Sequence, residues 1–263
     1  MRIATYNINS IRARASNLFI WLKEKKPDVV FLQEIKCETN DFLYMELESL
    51  GYKSVAVGQK GYNGVAILCK YDFKVTNRKL PNFDDEEARY LEVLIDNGYE
   101  KFYAISVYAP NGCALDKNKE QEKLMYKLKW FDALYQRLKI LVYEGYPIII
   151  GGDFNVMIKD IDVYDSSKFK NSPLFIKEVK NKIKAIINLG LFDSFRLLHP
   201  NDEGYTFWDY TGNSFVTNLG LRIDYLFSSA FFAERIERIW VDKSLRQMDK
   251  PSDHTALVLD IKD

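Results

Sequence analysis

Several polar residues in this chain stand where an apolar run stops or is interrupted. Asn7 lies near the end of the run 3–8, and Glu34 follows the run 29–32. Asp153 and Asn155 follow 148–150 in the string Gly151-Gly152-Asp153-Phe154-Asn155. Asp224 sits inside Arg222-Ile223-Asp224-Tyr225-Leu226, and Asp253-His254 directly precedes the last run, 255–261. A carboxylate at the edge of a buried run costs free energy unless it is paired or holds a cation. Each residue also has a plain structural use. Asp or Asn after a strand often makes a turn, and His254 could be a satisfied core histidine. Asp224, within an apolar run, needs a partner in any case. Taken together, residues so far apart in sequence suggest one convergent site. Its ligand atoms are carboxylate and amide oxygens, with no thiolate and one nearby histidine. Such hard donors select Mg²⁺ or Mn²⁺ over zinc. One or two carboxylates suffice for Mg²⁺ where a phosphate completes the shell. His199, before Pro200, reads as an ordinary loop residue.

The elements that must position these residues can be read from periodicity. Residues 3–8 predict a strand. Asn9 or Ser10 could cap a helix in which Ile11, Ala15, Leu18, Phe19 and Leu22 repeat at helical spacing, with Pro27 ending it. The runs 29–32 and 64–69 read as buried strands. Residues 89–95 and 101–109 flank Asn97-Gly98 and predict a hairpin with a type I′ turn. A helix is expected over 118–142, a strand over 148–150, and a helix from Ser172-Pro173 to Leu189 with Gly190 as its stop. Strands follow at 223–227, 236–241 and 255–261. Strands without regular helix alternation indicate an α+β protein, with sheet on sheet and outer helices.

The chain has 263 residues, with 37 basic and 37 acidic side chains and 2 histidines. A 47% hydrophobic, 28% charged composition excludes a disordered chain and a membrane bundle. The length permits a large core, and a single domain over 1–263 is expected. No apolar stretch resembles a signal peptide or a membrane span, so a cytoplasmic location and no membrane partner are expected. Three cysteines without a C-x-x-C pattern read as reduced thiols, all three expected to be small buried hydrophobes. Zero formal charge argues against a uniformly basic surface but not against a basic face. Charge is in fact segregated. Residues 168–184 hold six lysines against Glu178, and residues 84–100 hold seven acids against Arg89.

The ordered segments TYNINSIRAR, PDVVFLQEIK, GQKGYNGVAIL, VYAPNG, GGDFNV, YTFWDY, GLRIDYL and KPSDH resemble the exonuclease III family of AP endonucleases, within the endonuclease/exonuclease/phosphatase superfamily. The resemblance covers nearly the whole chain. It implies a four-layer α/β sandwich, two packed mixed β-sheets flanked by helices. It implies hydrolysis of the phosphodiester 5′ to an abasic site in duplex DNA, with 3′-5′ exonuclease and 3′-end-trimming activity, by a monomer using Mg²⁺ or Mn²⁺. On this likeness Glu34 is the main metal carboxylate, with Asn7 beside it and Asp253 near a second metal position. Asp153 orients or deprotonates the attacking water, and Asn155 holds nucleophile and phosphate. His254 donates to a phosphate oxygen, fixed and kept charged by Asp224. Tyr108 and Asn111 contact phosphate. Phe207, Leu221 and Ile223 form an apolar pocket for a base-less sugar. Asn9, Arg12 and Tyr62 fall in segments that contact DNA in relatives. Departures from the family pattern at Leu221, Ala256 and Met157 touch none of this chemistry.

Alternatives within the superfamily are a non-specific DNase, an inositol-polyphosphate phosphatase, a sphingomyelinase or a poly(A) nuclease. The YTFWDY and GLRIDYL segments favour the exonuclease III branch, because an apolar pocket suits a sugar without a base. The activity could also be mainly 3′-5′ exonuclease and 3′-phosphatase, or the chain could be a silent DNA-binding homologue. The lysine run could be a solvated face or a phosphate contact.

Overall fold

The structure is a computed structural model, and it describes residues 1–113 and 116–262. In chain order the elements are β1 (Arg2–Asn7), α1 (Ile11–Lys25), β2 (Val29–Gln33), α2 (Tyr44–Ser49), β3 (Lys53–Val57), β4 (Val65–Cys69), β5 (Asp72–Asn77), β6 (Tyr90–Asp96) and β7 (Lys101–Tyr108). They continue with α3 (Glu120–Glu144), β8 (Ile148–Asp153), α4 (Lys177–Ile187), β9 (Leu191–Asp193), α5 (Ser194–Leu198), β10 (Asp224–Ser229), α6 (Ala230–Ala233), β11 (Ile236–Asp242) and β12 (Ala256–Ile261). Two six-stranded mixed sheets form, ordered β11-β12-β1-β2-β4-β3 and β5-β6-β7-β8-β10-β9.

Alternation along the strands builds the layers. In β2, Val29 and Phe31 join the core between the sheets, while Val30 and Leu32 join the core beneath α1. In β7, Phe102 and Ala104 face the inter-sheet core and Ile105 and Val107 the core shared with α3 and α4. Both faces are covered, so these strands read as unbroken apolar runs. The result is helix, sheet, sheet, helix, as the family resemblance implied.

Strand direction gathers the site. β1 pairs parallel to β2, and β7 parallel to β8, so all four finish at the same end of the sandwich. β10 and β12 run antiparallel to β8 and β1 and therefore begin there. Asn7, Glu34, Tyr108, Asp153, Asp224 and His254 thus meet at one edge, the carboxyl ends of parallel strands being where such sheets bind ligands. Gly151 and Gly152 allow the approach. A Cβ on Gly151 would meet Phe31 Cδ2 at 2.3 Å, and one on Gly152 would meet the Val107 carbonyl at 2.0 Å.

Several expectations need correction. The helix expected from Ser172 starts at Lys177, because Phe175 and Ile176 N–H groups both donate to the Ser172 carbonyl and close a turn first. The connection after Asn97 is not a two-residue type I′ turn. Residues 97–100 form the loop, Asn97 Oδ1 accepts from the Tyr99 and Glu100 N–H groups, and of the pair only Gly98 has positive φ. Cys113 is exposed rather than buried. His199 is more than loop filling: its Nδ1 meets Asp202 at 2.8 Å and its Nε2 the Ile239 carbonyl at 2.9 Å. Strands β3, β5 and β9 and helices α2, α5 and α6 were not foreseen.

Candidate active site

Asn7, the last residue of β1, joins the two sheets. Its Nδ2 donates to Glu34 Oε1 at 2.8 Å and to Asp153 Oδ2 at 3.0 Å. Glu34 Oε2 lies 2.9 Å from the Lys36 ammonium. A second line of polar groups arrives from β10. Thr206 Oγ1 donates to Asp224 Oδ2 at 2.6 Å, and the same oxygen lies 2.8 Å from His254 Nδ1. His254 Nε2 is 3.6 Å from Asp153 Oδ2. The chain Thr206–Asp224–His254–Asp153–Asn7–Glu34 is therefore continuous.

Charge and burial set the protonation states. Burial pushes the Asp153 carboxyl up; His254 opposes this, and Asp224 and Glu34 add to it. His254 is fully buried, which by itself would favour neutral imidazole, but Asp224 and Asp153 outweigh burial and hold it well above its ordinary value. Glu34 goes the other way. Burial raises it, yet the Asn7 bond and Lys36 hold it below the usual carboxylate value. Burial, then Glu34 and Asp153, push the Tyr108 phenol far up, against the Arg89 guanidinium 4.8 Å from its ring centroid. Tyr108 therefore keeps its proton and can only donate from it to an anion.

The turn after β8 fixes Asn155. Its backbone takes the left-handed conformation, φ +51°. Its N–H donates to Asp153 Oδ1 at 2.9 Å and its Nδ2 to the Ala109 carbonyl at 2.9 Å. Beside these groups lies an apolar cluster where Met157, Val163, Phe175, Leu221 and Ile223 pack with Phe207. The Phe207 ring meets the His254 ring edge at 4.9 Å between centroids. Met157, read from the sequence as remote from the chemistry, is part of this cluster.

The donor set fits a hard divalent cation. One ligand atom each from Glu34, Asp153 and His254 lie within 4.8 Å of one another. Asp224 and Asp153 hold the His254 ring protonated, so it offers no free lone pair and carboxylate oxygens are left as the principal donors. Asp253 stands apart from this group, its Oδ1 accepting from Asn9 Nδ2 at 2.9 Å. Asn9 Oδ1 in turn accepts from Lys36 at 2.5 Å. Farther out, Arg12 is exposed and pairs with Asp41 at 2.9 Å. Tyr62 and Asn111 are also exposed, and Asn111 Oδ1 accepts from the Cys113 N–H.

The pattern of the Endonuclease/Exonuclease/phosphatase family matches residues 4–254. Exodeoxyribonuclease III of Haemophilus influenzae is 32% identical over 270 residues, covering 100% of both chains. The chain belongs to the exonuclease III branch of this family. Among solved structures, an AP endonuclease from Archaeoglobus fulgidus superposes with a TM-score of 0.93 at 35% identity, covering 100% of each chain. A 3′ phosphatase from Neisseria bound to a product DNA hairpin also gives 0.93, at 32% identity and the same coverage. Among the described residues of this family member no helix is long and apolar enough to cross a membrane.

Sequence reasoning missed four residues of this exonuclease III-type site. Thr206, Lys36 and Arg89 touch Asp224, Glu34 and Tyr108. Lys127 reaches the turns that carry Asn111 and Asn155. Thr206 and Lys36 each sit in a recognised segment, and a search for partners of the lone acid in β10 could have found Thr206.

Proposed function

We propose that this DNA-repair nuclease hydrolyses the phosphodiester 5′ to abasic sites and trims 3′ ends of duplex DNA, as a monomer that depends on Mg²⁺ or Mn²⁺. The observation that carries the reading is the continuous line from Asp224 through His254 to Asp153 and Glu34, beside an apolar cluster. Glu34 and Asn7 would hold the ion, with Asp253 holding a second. When bound, it supplies positive charge against a phosphate oxygen and the departing 3′-oxygen.

Asp153 accepts a proton from the attacking water, a task its raised affinity for protons suits. Asn155 holds water and phosphate for in-line attack. His254, kept as imidazolium by Asp224, donates from Nε2 to the phosphate as negative charge builds there. Tyr108 and Asn111 donate to the same phosphate. An abasic nucleotide lacks stacking and leaves the helix at low cost. The Phe207, Leu221 and Ile223 wall receives the bare sugar, while Asn9, Arg12 and Tyr62 contact the DNA outside it.

One gel tests this. An abasic duplex, a recessed 3′ end and a 3′-phosphate duplex are each incubated with Mg²⁺, Mn²⁺ or EDTA. Cleavage with either metal and none with EDTA is expected. Cleavage in EDTA would remove the metal from the reading. Intact substrates under all conditions would leave a silent DNA-binding homologue.

A further inference from the structure

Lys127 lies in the middle of α3, an amphipathic helix, yet its side chain is fully buried. Its ammonium donates to three backbone carbonyls: Asn111 at 3.1 Å, Asn155 at 2.6 Å and Pro173 at 3.0 Å. These belong to three separate segments, after β7, after β8 and before α4. Among the described residues no carboxylate pairs with it. An ammonium has three N–H groups and meets three acceptors, so its hydrogen-bonding capacity is filled. Burial pushes the group towards the neutral amine, but an amine has only two N–H groups and would leave one carbonyl without a donor. The surrounding chain is built against this stem. Gly112 has φ +76°, and a Cβ there would meet Lys127 Cδ at 2.8 Å and Pro173 Cβ at 3.1 Å. Asn155 takes a left-handed backbone, φ +51°, which asparagine tolerates, and its carbonyl is turned to the Lys127 ammonium.

We propose that Lys127 is a positioning residue for DNA cleavage: it ties the Asn111 and Asn155 turns to one point, so that both amides face the same phosphate. It touches no reacting atom and acts through those two turns. The inference rests on the reading of Asn155 as the group that holds nucleophile and phosphate.

The test is a cycle of Lys127→Met, Asn155→Ala and the double variant. Cleavage of a 3′-phosphate duplex is followed under single-turnover conditions with Mg²⁺, and DNA affinity is measured in EDTA. Lys127→Met is expected to lower the cleavage rate about 10- to 100-fold, the scale of an ångström-sized misplacement. Its DNA affinity should stay within about threefold. Because Lys127 acts in part through the Asn155 turn, the double variant should lose less than the product of the two single losses. Losses that multiply would overturn the proposal and leave the role of Asn155 intact. A Lys127→Met rate within twofold of the parent would overturn it as well. If Asn155→Ala cuts at the parent rate, the reading of Asn155 fails first and takes this inference with it. Should Lys127→Met not fold, Lys127→Arg enters the same cycle; it keeps the cation but cannot place its planar N–H groups on all three carbonyls.

Discussion

Two buried charge clusters meet at the start of β10, two residues apart in sequence. Arg222 belongs to one. It donates to Asp162 at 2.8 Å and to both Asp193 oxygens at 3.1 and 2.8 Å, and Arg196 also bonds Asp162. Asp224 belongs to the other, with Asp153, Glu34, His254 and Lys36. In the first, two guanidinium groups match two carboxylates. Burial of Asp162 is outweighed by Arg222, so its carboxyl sits below the ordinary value. In the second, the acids outnumber the cations. There the Asp153 carboxyl is pushed up, and Asp224 Oδ1 has no hydrogen-bond partner among the described residues. A balanced cluster has its charges matched and holds loops in place. An unbalanced one retains a call for protons or a cation, and that is the state in which chemistry can be done.

Breaking the unbalanced cluster should have the largest effect on rate. Asp153→Asn is expected to lower single-turnover cleavage of an abasic duplex by about 10²–10⁴-fold, and His254→Ala to fall in the same range. Urea unfolding should find Asp153→Asn no less stable than the parent, since it removes one buried charge from a cluster in which acids outnumber cations. Near-normal cleavage by Asp153→Asn would refute its role at the water.

Breaking the balanced cluster should do the opposite. Arg222→Met leaves Asp193 without its guanidinium partner and Asp162 with Arg196 alone, and urea unfolding should show a loss of about 3–5 kcal/mol. Cleavage per folded molecule should change far less than in Asp153→Asn. The pH dependence follows from the lowered Asp162 carboxyl. Its stabilisation is complete above the unfolded value, about 3.9, and is lost as pH falls through the folded one. Arg222→Met should flatten that acid limb; an unchanged limb would separate Asp162 from the cluster's stability.

A smaller effect should come from metal. Because the cation binds the folded state, saturating Mg²⁺ should raise the parent's stability by about 1–3 kcal/mol over EDTA. Glu34→Gln should lose most of that gain, and an equal gain in Glu34→Gln would place the ion elsewhere. The smallest effect should come from the lysine run. Lys168 faces Asp165, Lys182 pairs with Asp132, and Lys180 lies over the Phe175 ring. Lys170, Lys177 and Lys184 are exposed. Changing these three to Gln should flatten the logarithmic salt dependence of DNA binding by up to about 3. An unchanged slope would make the run a solvated face.

The site was legible wherever a polar residue ended an apolar run. Glu34, Asp153 and Asp224 stood out because strands buried on both faces make any acid conspicuous. Lys127 did not, because a lysine in an amphipathic helix looks solvated until its neighbours in space are known. Asp162 and Arg222 were hidden for a related reason. Their match is between residues 60 apart in the chain, and nothing in local composition marks such a pair. Among strands, β3 and β5 escaped because each lies at a sheet edge, with fewer buried positions than the central runs. The early start expected for α4 failed because Ser172-Pro173 closes a turn before the helical pattern begins.

The bond from Asn7 to both Glu34 and Asp153 crosses from one sheet to the other. Glu34 and Asn7 belong to strands of the first sheet or their ends, whereas Tyr108, Asp153 and Asp224 belong to the second. Neither sheet carries a working set of groups alone. A chain that has formed one sheet but not docked the other has not brought these groups together, so their assembly reports that both sheets have folded.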